Sequence, residues 1–188
     1  MKRTVFCARN ERENYEDSSW NSLPTHVPSV VFHTRVKEGD EYEWQDVSTW
    51  DLFAGRRVVL FSLPGAFTPT CSTYQLPDFE RLAEDFYKQG CDAIYCVSVN
   101  DSFVMNRWAK DNNLENIEVI PDGSGKFTQG MEMLVRKDNL GFGERSWRYA
   151  CVVENGEITD WFIEEGREDD CEEDPYYYTS PEFILASL

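Results

Sequence analysis

The sequence has no run approaching the roughly 18 consecutive apolar residues that a membrane span needs, no Cys-x-x-Cys pair, and only two histidines, His26 and His33. The first absence excludes a bilayer-crossing helix. The second removes the dithiol that a disulfide reductase would use, since Cys71-Ser-Thr-Tyr74 stops one residue type short. Too few histidines accompany the scattered cysteines to make a structural zinc site or other metal expected. Basic residues are also scarce: 18 Lys and Arg stand against 35 Asp and Glu, a formal net charge of −17. That balance argues against nucleic acid and against anionic membrane surfaces, both of which select basic patches. Nothing in Met1 to Asn21 resembles the apolar core of an export signal, so a cytoplasmic location, where thiols stay reduced, is expected.

Six cysteines are present, Cys7, Cys71, Cys91, Cys96, Cys151 and Cys171. A chain of 188 residues can bury an ordinary core without staples, so these read as a mixture of buried and reactive thiols. Residues 1–22 lack hydrophobic periodicity and are expected to form a polar N-terminal arm, with a single domain over 23–188. The charged run from Lys37 to Glu43 reads as a surface loop.

The apolar run Arg57 to Leu63, closed by Pro64-Gly65, suits a strand buried on both faces, as does Ala93 to Val99. Between them Leu76, Phe79, Ala83 and Phe86 recur at helical spacing, and Gly90 is placed to end that helix. Asn100-Asp101 offers an N-cap to a helix carrying Val104, Met105 and Trp108. Glu118 to Pro121 predicts a third strand and Lys126 to Leu134 a short helix. Two β-rich runs flank Asn155-Gly156, a hairpin signal, and after an acidic loop a last helix is expected around Ser180 to Leu188. The order implies an α/β architecture, a central mixed β-sheet flanked by helices.

One segment carries chemistry. In Pro64-Gly-Ala-Phe-Thr-Pro-Thr-Cys71, Thr68 is a good N-cap and Pro69 a good first helical residue, which puts Cys71 in a first turn. Free amides and the positive end of the helix dipole favour a thiolate there. Thr68, three residues earlier, shares its side of the turn and offers a hydroxyl to a peroxide. Pro64 would shield the sulfur. Pro77 removes a helical hydrogen bond and should kink the helix, leaving the Cys71 turn able to unwind.

The same string resembles the active-site segment of peroxiredoxins, Pro-x-x-x-Thr/Ser-x-x-Cys. It is most similar to the type II branch, which includes plant type II peroxiredoxins, mammalian peroxiredoxin five and bacterial peroxiredoxin–glutaredoxin fusions. Val97-Ser-Val-Asn-Asp101, Pro121-Asp-Gly123, Leu140-Gly-Phe-Gly143 and Arg145-Ser-Trp-Arg-Tyr149 extend the likeness over roughly residues 26–188. The resemblance implies a thioredoxin-like fold and reduction of hydrogen peroxide or alkyl hydroperoxides, with no metal, flavin or haem. It makes Cys71 the attacking cysteine, forming a sulfenic acid, with Thr68 and Pro64 shaping the peroxide pocket. Arg148 takes the place of the family's essential arginine, with Arg145 the second choice. It also implies a homodimer.

The resemblance leaves open which thiol then reacts with the oxidised sulfur. Cys96 matches the second cysteine of the plant enzymes but lies in an apparently buried strand. Cys171 lies roughly where the mammalian enzyme carries its resolving cysteine, among acidic neighbours that disfavour attack and repel glutathione. Cys7 on the arm remains open; Cys91 and Cys151 read as structural. An external reductant, glutathione with glutaredoxin or thioredoxin, is the further option. A peroxide sensor passing oxidation to a partner protein is the competing function, because the same thiolate chemistry starts both.

Overall fold

The structure, a computed structural model, describes residues 23–39 and 41–188; the expected N-terminal arm and Cys7 lie outside them. Its centre is a five-stranded mixed sheet in the order β5-β4-β3-β8-β9. Strands β3 (Arg57–Ser62), β4 (Ala93–Ser98) and β5 (Glu118–Pro121) run parallel. β8 (Tyr149–Glu154) lies antiparallel to β3, and β9 (Glu157–Ile163) antiparallel to β8. A short helix α1 (Thr49–Phe53) precedes β3, and the crossovers are helices α2 (Leu76–Lys88) and α3 (Ser102–Asp111).

Alternation along these strands builds two cores, one on each face of the sheet. Val59, Phe61, Ile94, Cys96, Ala150 and Val152 face Phe79, Ala83 and Phe86 of α2 and Met105 and Trp108 of α3. Val58, Leu60, Tyr95, Val97, Cys151 and Val153 point the other way, onto Leu52, Phe53, Phe127 and Trp147. Residues on both sides are buried, which is why the strands read as continuous apolar runs. The β8–β9 turn has positive φ at both Asn155 (50°) and Gly156 (84°), the geometry that an Asn-Gly pair tolerates best. Asp101 caps α3 through bonds from the Phe103 and Val104 amides.

Three expectations need correction. Lys37 to Glu43 is no plain loop: β1 (Val31–Glu38) and β2 (Glu41–Ser48) form an antiparallel hairpin that turns at Gly39, with φ of 63°. The helix expected to reach Leu134 stops early. It is α4 (Lys126–Gly130), and Leu134 instead opens β6 (Leu134–Arg136), paired with β7 (Glu144–Ser146). The last helix, α5 (Pro181–Leu185), is likewise shorter, with Ser180 as its N-cap.

Gly130 ends α4 against Pro28: a Cβ there would sit 2.6 Å from the proline Cβ and 2.9 Å from its Cγ. The rigid ring cannot swing aside, so Gly130→Ala is expected to lower stability by about 1–3 kcal/mol. Urea denaturation reads the loss; an unchanged midpoint would mean that the Pro28 segment moves freely.

Candidate active site

The loop after β3 leads Leu63 to Thr68 past the carboxyl ends of the parallel strands, where open α/β sheets place their ligands. One side chain from outside the loop bonds it and another packs beside it. Asn100 Oδ1, just after β4, accepts from the Ala66 amide at 3.0 Å and from Ser98 Oγ at 2.7 Å. Arg145 Nη1 donates to the Val99 carbonyl at 3.0 Å and lies 3.4 Å from where a Cβ on Gly65 would be, so a larger residue there would crowd it. Phe67 takes a left-handed φ of 63° and leaves its ring half exposed.

Thr68 and Pro69 then open a helical turn, with the Thr68 carbonyl accepting from the Ser72 amide at 3.0 Å. The Thr68 side chain differs from the expected cap. Its Oγ1 donates to the Gly65 carbonyl at 2.7 Å instead of accepting a helix amide. With that proton committed, the hydroxyl oxygen is left as an acceptor. Next comes a π-helical turn, Cys71–Gln75, in which the Leu76 amide reaches back five residues to the Cys71 carbonyl. Pro77 has no N–H to offer, and widening the turn by one residue carries the chain past it into regular α2. The expected disturbance is therefore a wide turn containing Cys71 itself. Trp108 Nε1 of α3 ties this turn down through a 3.0 Å bond to Ser72 Oγ.

Cys71 is fully buried, and Arg148 Nη1 stands 3.5 Å from its sulfur. Arg148 lies between β7 and β8 and is itself 1% exposed. The same Nη1 donates to Gln75 Oε1, and Nη2 donates to Asp174. The guanidinium carbon sits 5.8 Å from the centre of the Tyr176 ring. Burial works against the charge on Arg148, but the Cys71 sulfur and the Asp174 carboxylate outweigh it and hold the proton more tightly than in a free guanidinium. A fixed positive charge thus lies against the Cys71 sulfur.

Of the residues expected at the site, Cys71 and Arg148 meet here, Thr68 starts the same turn three residues before the cysteine, and Pro64 is half-buried at the start of the loop. Arg145 lies beside Gly65 and is bonded to Val99 and Phe142 rather than to the sulfur. Cys96 shares the Cys71 core, and burial foremost, with the charge of Cys71 second, pushes its thiol well above the usual range. Cys171 does not join them. It packs on the core of the opposite sheet face, with its carbonyl held by Lys137 Nζ at 2.9 Å. Sequence reasoning missed two participants, Gln75 and Asp174. Gln75 stands four residues after Cys71, a helical spacing that could have signalled it. Asp174 had no local signal at all.

A fully buried cysteine sulfur held against a fixed positive charge is an arrangement built for thiol chemistry, and this places the molecule among proteins that work by it. Comparison with known proteins is specific. A family model described as Redoxin matches residues 27–179. A peroxiredoxin of Rhizobium etli is 57% identical over 172 residues, covering 89% of this chain and 96% of that one. Among solved structures, a 1-Cys peroxiredoxin, the antioxidant protein of Plasmodium falciparum, superposes with a TM-score of 0.82 at 33% identity, covering 86% of this chain and 96% of its own. A reduced peroxiredoxin of Vibrio vulnificus in complex with hydrogen peroxide gives 0.76 at 34% identity, covering 89% and 99%. The chain belongs to the peroxiredoxin family. It has that family's thioredoxin-like fold and is a thiol peroxidase.

Proposed function

We propose that the chain reduces hydrogen peroxide and alkyl hydroperoxides through a sulfenic acid on Cys71, which an external thiol then returns to the reduced state. The observation that carries this reading is the 3.5 Å approach of Arg148 Nη1 to the buried Cys71 sulfur. The thiolate attacks one peroxide oxygen, the S–O bond forms and the O–O bond breaks. The departing oxygen takes a proton and leaves as water or an alcohol. Arg148 lowers the energy of the negative charge as it passes from sulfur to the leaving oxygen. Thr68 Oγ1, its proton given to Gly65, accepts a hydrogen from the peroxide and orients it. Pro64, half-buried beside the loop, limits water at the sulfur.

An external reductant is favoured by the placing of the other thiols. Cys96 sits in β4 between β3 and β5 in the same core as Cys71, and burial pushes its thiol well above the usual range, which leaves little thiolate to attack an oxidised Cys71. Cys171 is on the far face, and its loop is tied down by Asp169 to Arg136 at 2.8 Å and by Asp170 to the Asn139 amide at 3.0 Å. The Plasmodium neighbour is itself described as a one-cysteine enzyme. Glutathione with glutaredoxin, or thioredoxin, would supply the electrons by thiol–disulfide exchange, and a reducing cytoplasmic compartment suits that chemistry. A homodimer is part of the reading: Phe67, Tyr74 and Phe103 leave rings exposed near the loop, apolar surface that a second copy would cover.

The test is to oxidise reduced protein with one equivalent of hydrogen peroxide and weigh its proteolytic fragments. One added oxygen on the Cys71 fragment, replaced by a glutathione adduct when glutathione is present, is the expected result. A Cys71–Cys96 or Cys71–Cys171 disulfide would overturn the external route, and an unmodified Cys71 would overturn the whole reading.

A further inference from the structure

Gln75 is a fully buried polar side chain, and its surroundings use only half of it. It closes the π turn that Cys71 opens. Arginine has donors and no acceptor, so the Gln75 atom that Arg148 Nη1 touches must be Oε1. The carboxamide orientation follows, and the two hydrogens on Nε2 are left over. Among the described residues none accepts from Nε2, and Arg148 Nε is unpartnered as well. Burying an amide donor without a partner is costly, and an apolar side chain of similar shape would fill the space at less expense if packing were the only need. The neighbourhood of the sulfur therefore has more donors than acceptors. A peroxide supplies the missing kind of atom, since both its oxygens accept.

We propose that Gln75 is a further catalytic residue, whose Nε2 donates a hydrogen bond to the bound peroxide while its Oε1 holds Arg148. The inference rests on the reading of Cys71 as the attacking thiol. As the S–O bond forms and the O–O bond breaks, negative charge moves onto the peroxide oxygens, and a donor already in place stabilises it without having to reorient. Arg148 and Gln75 donate while Thr68 accepts, so the peroxide is held by both kinds of hydrogen bond.

Three substitutions separate the two halves of the amide. Gln75→Glu keeps an oxygen for Arg148 and removes the donor; Gln75→Met removes both; Gln75→His retains one acceptor and one donor. Each is measured in two stopped-flow reactions of Cys71, at a pH high enough that the rates have reached their plateau. One reactant is hydrogen peroxide; the other is iodoacetamide, which needs the thiolate but no peroxide contact. Glu and Met should lower the peroxide rate by roughly 10²-fold with the iodoacetamide rate changed only a few-fold, and His should recover most of the loss. If the two rates fall together, Gln75 acts only through the thiolate and the proposal is overturned. It is equally overturned if the peroxide rate in Gln75→Glu stays at the wild-type value. Should Gln75→Glu fail to fold, Gln75→Met is measured on an Arg148→Met background, where a further fall in the peroxide rate supports the proposal and no further fall overturns it. Failure of the underlying reading looks different, because wild-type Cys71 would then not be oxidised at all.

Discussion

Cys71→Ser is expected to bring peroxide turnover down to the rate of the reductant alone, a loss of at least about 10³-fold of the kind that follows removal of a nucleophile. A serine hydroxyl does not ionise near neutral pH, and among the described residues no base is bonded to the residue 71 side chain to activate it. The side chain bonded to its sulfur, Arg148 with Nη1 at 3.5 Å, can only donate. The fold should survive. Serine is slightly smaller than cysteine, and its hydroxyl can accept the bond that Arg148 now gives to sulfur. Residue 71 is fully buried, so the exchange should cost about 1 kcal/mol, mostly through poorer packing against Leu63, Leu76 and Phe79. Steady-state peroxide consumption beside a urea denaturation curve checks both halves. Turnover persisting in a folded Cys71→Ser protein would move the chemistry to another thiol, and Cys96 would be the first to examine.

How much of this was legible in the sequence depends on whether the signal was local. The buried strands β3, β4 and β8 announced themselves because both faces need apolar residues, and α2 because one face does. The β1–β2 hairpin did not. Its second strand exposes nearly every side chain, so no alternation marks it, and the charges from Lys37 to Glu43 read as loop. Helix α4 was overdrawn because Met131, Met133 and Leu134 look like a continued apolar stripe. The chain instead leaves the helix at Gly130, where Pro28 packs, and Leu134 pairs with Ser146.

The same division runs through the site. Thr68, Pro69 and Cys71 lie within one turn, so capping rules could place them. Arg148 came from family likeness alone, since nothing in a stretch with two arginines tells which one turns inward. Pro77 correctly marked a disturbed helix, but only coordinates show that the disturbance is a π turn enclosing Cys71 and Gln75. Asp174 and Cys171 stand three residues apart in one acidic run, and only the fold shows that one reaches Arg148 while the other packs on the opposite core.

Arg148→Met is expected to slow oxidation of Cys71 by roughly 10²- to 10³-fold, the range found when a preorganised donor is removed from a site of developing negative charge. Stability should behave differently. Arg148 is a buried cation, and taking such a charge out of water opposes folding unless its partners compensate. Here they do so in part: Asp174 supplies a carboxylate and Gln75 an amide oxygen, while Nε goes unpartnered. Methionine fills much of the same volume with no charge to desolvate, and Asp174, whose side chain is 48% exposed, can turn to water once released. Gln75 Oε1 loses its donor, a cost of about 1–3 kcal/mol that offsets the gain. The net change in stability should therefore be small, within about 1–2 kcal/mol of zero in either direction. Arg148→Lys should be slower than wild type but faster than methionine, because an ammonium keeps the charge yet cannot span Cys71, Gln75 and Asp174 from one planar fork. Peroxide oxidation rates and thermal unfolding of the three proteins test this ordering. A methionine variant that unfolds easily would make Arg148 a structural ion pair, whereas one that is stable and slow separates its role in catalysis from its role in the fold.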